Sequence, residues 1–212
     1  MDREHARRLL LDEHLHDCDD PAVIAAMSEV PRDAFVPSEL RGHAWDDSAL
    51  AIGHGQTISQ PSLVARMLAA LRLRPGDHVL DVGCGSGYAA ALIARLVAPE
   101  PVEAIERQQA LVELAQERLA RLAPSVDVVL GDGLLGLAAL APYDAIHVAA
   151  ACEQLPRALI DQLAPGGRLI LPLGPHHEVQ RLILLRRRRD GGLDREDLGG
   201  VVFVPGLAGV AG

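Results

Sequence analysis

Residues 78–97 read HVLDVGCGSGYAAALIARLV. The first five positions, 78–82, form a short apolar run of the kind that makes a buried strand. A glycine cluster, Asp81-Val82-Gly83-Cys84-Gly85-Ser86-Gly87, follows at once. Positions 88–97 are Ala- and Leu-rich and predict a helix. Strand, glycine turn and helix in that order are the repeating unit of an open α/β sheet. In such sheets ligands bind beyond the carboxyl ends of the strands. The spacing is Gly-x-Gly-x-Gly, tighter than the Gly-x-Gly-x-x-Gly of dinucleotide sites. With an acidic residue just before it, this loop favours a ligand with an amino acid end over a pyrophosphate.

The alternation continues outward. Strands are predicted at 102–106, 126–130, 144–149 and 168–172, and helices at 108–122 and 156–163. Two late strands, 179–185 and 200–204, are predicted to form a hairpin through 186–193. The expected fold is α/β: a doubly wound, Rossmann-like sheet, mostly parallel, with one antiparallel edge. Upstream, Pro61 suits the first turn of a helix through Leu71. Helical spacing at 3–14 and 21–29 predicts an N-terminal helical cap, and Pro31 and Pro37 an extended segment around Phe35. The chain 1–212 is expected to be one domain, with 1–60 as cap and acceptor loop and 61–212 as cofactor-binding core.

Composition narrows the function. The net charge of −9 argues against general affinity for nucleic acid or anionic membrane. No uncharged apolar run reaches membrane-spanning length, and no secretory leader is visible. A cytoplasmic monomer is expected. Three cysteines far apart, Cys18, Cys84 and Cys152, suit a reducing compartment. Lysine and asparagine are absent.

A second glycine-bearing run, Gly53-His54-Gly55-Gln56-Thr57-Ile58-Ser59-Gln60-Pro61, lies shortly before the first strand. It predicts a loop built for close approach to a ligand. Two such loops imply two occupants, a cofactor and an acceptor. The second strand ends in Glu106, where a carboxylate can accept from both ribose hydroxyls. The third ends in Gly131-Asp132-Gly133, where another can accept from an adenine amino group. Acid, glycines, acid, acid at successive strand ends is the pattern of S-adenosylmethionine methyltransferases.

With these residues named, the chain resembles the protein-L-isoaspartate O-methyltransferase family. The resemblance is carried by residues 30–37 (VPRDAFVP), 44–47 (AWDD), Gly53 to Pro61, the strand-end acids, 163–167 (LAPGG) and Phe203-Val204-Pro205. It implies a Rossmann-like methyltransferase sheet that binds S-adenosyl-L-methionine and releases S-adenosyl-L-homocysteine. It implies an acceptor, the free α-carboxylate of an isoaspartyl residue in a damaged protein or peptide. It implies Ser59 as the acceptor-site hydroxyl. Cofactor contacts are expected from Gln56, Thr57, Ile58, Ser59, Asp81, Gly83, Gly85, Gly87, Glu106, Arg107, Asp132 and Gly133. Substrate contacts are expected from Ile52, Gly53, Ser59 and Val204, with no metal. The chain departs from the family at Ala51, where proline is frequent. It departs again at 149–152 (AAAC against Thr-Ala-Ala-Pro) and at Val202, where arginine is frequent. Two alternatives stay open here: a peptide-tailoring O-methyltransferase and a non-catalytic cofactor-binding protein.

A carboxylate acceptor is already ionised at neutral pH, since its ordinary pKa is about 4. It needs no general base. Ser59 is therefore expected to donate a hydrogen bond rather than attack, though a serine before a helix can also be a cap. His14, His16 and Cys18 fit no common zinc spacing. Arg186 to Arg189 are expected to protect a sheet edge. Cys84 is expected to be a small residue tolerated in a tight turn. Asp190-Gly191, in a polar tip, is expected to be mobile and prone to isoaspartate formation.

Overall fold

The computed structural model describes residues 3–211. Its centre is a seven-stranded sheet. The strands are β3 (Val79–Val82), β4 (Val102–Glu106), β5 (Val126–Leu130), β6 (Tyr143–Val148), β7 (Leu163–Leu173), β8 (Gln180–Arg187) and β9 (Leu193–Val201). Their order is β5-β4-β3-β6-β7-β8-β9. The first five pair in parallel, and β7-β8-β9 form an antiparallel meander at one edge. The strand order reverses between β3 and β6. That crevice is where an open α/β sheet binds its ligand.

Side chains alternate across the sheet with the strand period of two. Val79, Ala104, Ala145, Ile170 and Leu184 face one layer, built from the N-terminal segment and helices α3 (Pro61–Leu71), α4 (Tyr88–Val97) and α5 (Gln109–Leu122). Leu80, Ile105, Ile146, Leu169 and Leu185 face the other, covered by Leu159 and Ile160 of α6 (Arg157–Asp161). Aromatics are only 2% of residues, so aliphatic side chains and alanine fill both layers. The Ala-rich face of α4 brings its backbone close to the sheet. Ala90, Ala91, Leu92, Ile93 and Val97 are all buried.

Upstream lie α1 (Arg3–Leu9), a π-helical turn at Leu10–His14 and α2 (Pro21–Glu29), which Asp20 caps through the Ala22 and Val23 N–H groups. The expected extended segment around Phe35 is instead a 3-10 turn, Arg32–Phe35. Phe35 is fully buried 5.5 Å from the Tyr88 ring, so packing rather than proline sets its path. The expected glycine loop is a two-stranded hairpin, β1 (Leu50–Gly53) with β2 (Gln56–Ile58). Its turn needs positive φ at Gly53, His54 and Gly55, which explains the two glycines.

The last strand also differs from expectation. It spans Leu193–Val201 rather than 200–204. Leu193–Val201 is mostly polar because β9 is an edge strand facing water. The arginine run does meet partners there: Arg186 pairs with Glu196 at 2.7 Å and Arg188 with Asp194 at 2.7 Å, across the hairpin. The tip carries hydrogen bonds of its own. Asp190 Oδ1 accepts from the Gly192 N–H at 2.9 Å, and the Gly191 N–H donates to the Arg188 carbonyl at 3.0 Å. α6 is shorter than expected, at Arg157–Asp161, and β7 starts earlier, at Leu163.

Candidate active site

One cavity opens at the β3/β6 crevice. Its walls come from the β2 hairpin arm and the residue after it (Gln56, Thr57, Ile58, Ser59), the glycine loop (Gly83, Cys84, Gly85, Ser86) and the end of β4 (Glu106, Arg107). Gly133 and Leu134, His147 to Ala150, and the tail Phe203 to Leu207 complete it. Ten expected site residues line this cavity: Gln56, Thr57, Ile58, Ser59, Gly83, Gly85, Glu106, Arg107, Gly133 and Val204.

Glycine is required at Gly133. A Cβ there would meet Val82 Cγ1 at 2.7 Å. Gly87 adopts φ +88 and closes the loop onto α5, where a Cβ would meet Leu119 Cδ1 at 2.8 Å. It therefore shapes the loop from behind. Ile52 likewise supports from below. It is buried, and its Cδ1 would lie 3.2 Å from a Cβ at Gly85. Gly53 sits in the exposed hairpin turn.

Glu106 is buried, and three backbone donors hold its carboxylate: Gly85 N–H at 3.1 Å, Arg107 N–H at 2.8 Å and Gln108 N–H at 3.0 Å. A carboxylate has about four acceptor sites, so one remains for the cavity. Asp81 differs from expectation because it stands behind the wall. It is fully buried, with Oδ1 2.7 Å from His147 Nδ1. His147 lines the cavity, and among the described residues its Nε2 has no hydrogen-bond partner. His147 is a cavity-lining polar residue that sequence reasoning missed. Its signal was a polar residue late in the 143–148 strand, between Ile146 and Val148.

Asp132 stands outside the cavity lining, next to Gly133. Oδ1 accepts from the Leu134 N–H at 2.9 Å and Oδ2 from the Gly209 N–H at 2.7 Å. The Arg107 guanidinium donates to the Gly209 carbonyl at 2.9 Å. The Ala211 N–H closes on the Arg107 carbonyl at 2.8 Å. These two side chains fasten the C-terminal tail over the cavity, after Val204 and Gly206 have bonded to Ala151. At the family departure Cys152, the N–H donates to the Pro172 carbonyl at 2.9 Å, a bond that proline could not make.

Among the described residues, the Ser59 hydroxyl has no hydrogen-bond partner, and Ser59 does not cap α3. Asp47 does that from a distance, accepting from the Ser62 N–H and hydroxyl at 2.8 Å each. Cys84 is buried in the loop. Burial, then Asp81 and Glu106, push its thiol well above the usual range, so it is inert. Among the described residues no cluster of three metal-ligating side chains exists.

The sequence signature of the protein-L-isoaspartate(D-aspartate) O-methyltransferase family matches residues 5–210. A protein-L-isoaspartate O-methyltransferase of Methylorubrum extorquens is 50% identical over 211 residues, covering 99% of this chain and 91% of that protein. One from Aeropyrum pernix is 49% identical over 187 residues, covering 86% and 71%. A solved Plasmodium falciparum chain, described as a protein-L-isoaspartate O-methyltransferase in complex with S-adenosyl-L-homocysteine, has a TM-score of 0.81 at 26% identity. It covers 98% of this chain and 99% of that one.

Proposed function

Given that the chain belongs to the protein-L-isoaspartate(D-aspartate) O-methyltransferase family, we infer that it methylates the free α-carboxylate of L-isoaspartyl residues in damaged proteins and peptides. The methyl donor is S-adenosyl-L-methionine. The observation that carries this reading is an unpartnered Ser59 hydroxyl in the wall of a cavity that a glycine loop and Glu106 also line.

The residues present fit this cofactor. Gly83, Gly85 and Gly133 leave room for close approach, and Glu106 keeps one acceptor site for a ribose hydroxyl. The Nε2 of His147, without a partner among the described residues, offers a polar contact in the cavity lining, and Asp81 holds that imidazole in place from behind. Gln56, Thr57 and Ile58 border it. Asp132 and Arg107 hold the tail that roofs it. When bound, the cofactor supplies a methyl group on a positively charged sulfur.

The acceptor carboxylate arrives ionised and needs no base. Ser59 donates to one of its oxygens and turns the other toward the methyl carbon. Substrate contact by Val204 closes the opposite side, and Ile52 and Gly53 shape the hairpin from which Ser59 follows. Opposite charges cancel during transfer, so the apolar walls Ile58, Ile105 and Phe203 favour the step by excluding water. In the ester product, the following backbone nitrogen displaces methanol and closes a succinimide. Hydrolysis of that ring returns some normal aspartate.

The net charge of −9 and the acid partners of Arg186 and Arg188 support a protein without nucleic-acid or membrane affinity. Among the described residues, no helix is long and apolar enough to cross a membrane. We take it to act in the cytoplasm as a monomer of one domain, residues 1–60 capping the core. Labelled cofactor with matched isoaspartyl and aspartyl peptides tests the reading. Label on the isoaspartyl peptide alone is expected, and label on both or neither overturns it.

A further inference from the structure

Arg32 is fully buried, and among the described residues its guanidinium contacts no acid in hydrogen-bonding range. Its bonds run to three main-chain carbonyls: Ala44 at 2.8 Å, Ser59 at 2.8 Å and Ser48 at 3.4 Å. The Tyr88 ring, part of the cavity wall, lies 5.0 Å from its Cζ. Asp47, whose charge reaches Arg32, accepts its hydrogen bonds from the Ser62 N–H and hydroxyl instead. Burial lowers the guanidinium pKa to about 10, which still leaves it charged at neutral pH.

A buried cation without a bonded counter-ion is expensive, and apolar packing would join these segments at lower cost. The arrangement therefore calls for a reason beyond stability. A direct electrostatic role is disfavoured by the chemistry. The acceptor loses its charge during methyl transfer, so a cation touching it would hold the reactant more tightly than the transition state. Arg32 is not in the cavity wall. Ser59 stands between.

We propose that Arg32 is a positioning residue for Ser59: by holding the Ser59 carbonyl it fixes the 59–60 peptide plane, and with it the direction in which the hydroxyl enters the cavity. Nε and Nη2 grip carbonyls on both sides of the β1–β2 hairpin, so one planar group locks the hairpin base. Lysine cannot reproduce this, because its single ammonium lacks the fork. This proposal rests on the isoaspartate-methylating reading of the same site.

The test is a double-mutant cycle with Ser59→Ala, read as kcat, peptide KM and cofactor Kd. Arg32→Lys in the wild-type background is expected to lower kcat about tenfold, the loss from a misaimed acceptor oxygen. Peptide KM and cofactor Kd are expected to stay within about twofold, because what is lost is the aim of the acceptor oxygen at the methyl carbon and not the grip on either ligand. In the Ser59→Ala background the same substitution is expected to change kcat less than about twofold, because its target is gone. A full tenfold loss there, or an equal loss in cofactor affinity, overturns the proposal. If Arg32→Lys is unfolded by circular dichroism, Arg32→Gln replaces it with the same loss expected, since one short neutral amide lacks the fork that spans the Ala44 and Ser59 carbonyls. Failure of both to fold at any temperature assigns Arg32 to stability alone and overturns it too. Wild-type enzyme that does not label the isoaspartyl peptide brings down the reaction reading itself, a result distinct from an additive cycle.

Discussion

Ser59 and Glu106 face the same cavity under different obligations. The Ser59 hydroxyl is unbonded, so Ser59→Ala removes only a substrate contact. It is expected to cut methylation about ten- to a hundredfold with cofactor affinity unchanged, since a donor to an anion contributes about 1.5–3 kcal/mol. Equal turnover in mutant and wild type would reject the role. Glu106 also anchors three backbone N–H groups. Glu106→Ala is therefore expected to weaken cofactor binding by at least about tenfold in calorimetry and to lower the melting temperature as well. A mutant with full affinity and only lower stability would reduce Glu106 to a loop anchor. Both residues were legible because strand ends and family motifs mark them. His147 and Arg32 were not. The first meets Asp81 only because β3 and β6 align those two positions, a long-range register no local pattern encodes. The second is a charged residue whose burial contradicts its type.

At the scale of elements, the parallel strands were legible because each is a short aliphatic run framed by turn residues. β1, β2 and β9 were not. The first two are short and mostly exposed, and β9 carries acids that read as loop. What makes β9 a strand is its antiparallel pairing with β8, decorated by charge pairs such as Arg181 with Asp197 at 2.9 Å. Half-exposed pairs of this kind contribute little singly, about 0–1 kcal/mol each. The tail after β9 is also an element without a sequence signal. Its anchors are two side chains more than seventy positions away. Arg107→Ala is expected to free it. Backbone amides of 207–211 then exchange faster with deuterium by about tenfold, and bound cofactor dissociates faster. Unchanged exchange would mean that Asp132 alone suffices.

Across the whole molecule, the two ends of the sheet divide the work. The carboxyl ends build the cavity. The amino ends carry a partly buried pair, Glu103 Oε2 2.9 Å from His78 Nε2, with Tyr143 stacked on the imidazole at 4.6 Å. Burial raises the Glu103 pKa despite the opposing pull of His78. The folded state thus holds this proton more tightly than the unfolded chain. Its stabilising contribution is full below the ordinary carboxylate pKa and is lost as pH rises through the raised value. At neutral pH the ionised Glu103 is a net cost. Glu103→Gln is expected to raise the melting temperature at pH 7–8 by a few degrees, an advantage that vanishes below about pH 4, with kcat untouched. An advantage that persists in acid would show that packing, not charge, sets the effect.

The tied turn at 188–192 bears on how such a protein grows old. Isoaspartate forms when the nitrogen after an aspartate attacks the side-chain carboxyl, a step that needs a free N–H and an un-ionised acid. The Gly191 N–H is committed to the Arg188 carbonyl. The Gly192 N–H, then Arg188, hold the Asp190 carboxylate below its usual pKa range, so it stays a poor electrophile. The other Asp-Gly step, Asp132-Gly133, has its carboxylate engaged by the Leu134 and Gly209 N–H groups, and no asparagine exists to offer a faster route. Stored for months, the enzyme should gain little of the lesion it treats. Peptide mapping of aged protein for isoaspartate should find less at Asp190 than in a synthetic 186–194 peptide kept beside it, and equal amounts would mean the turn gives no protection. A maintenance enzyme of this build is largely outside its own caseload.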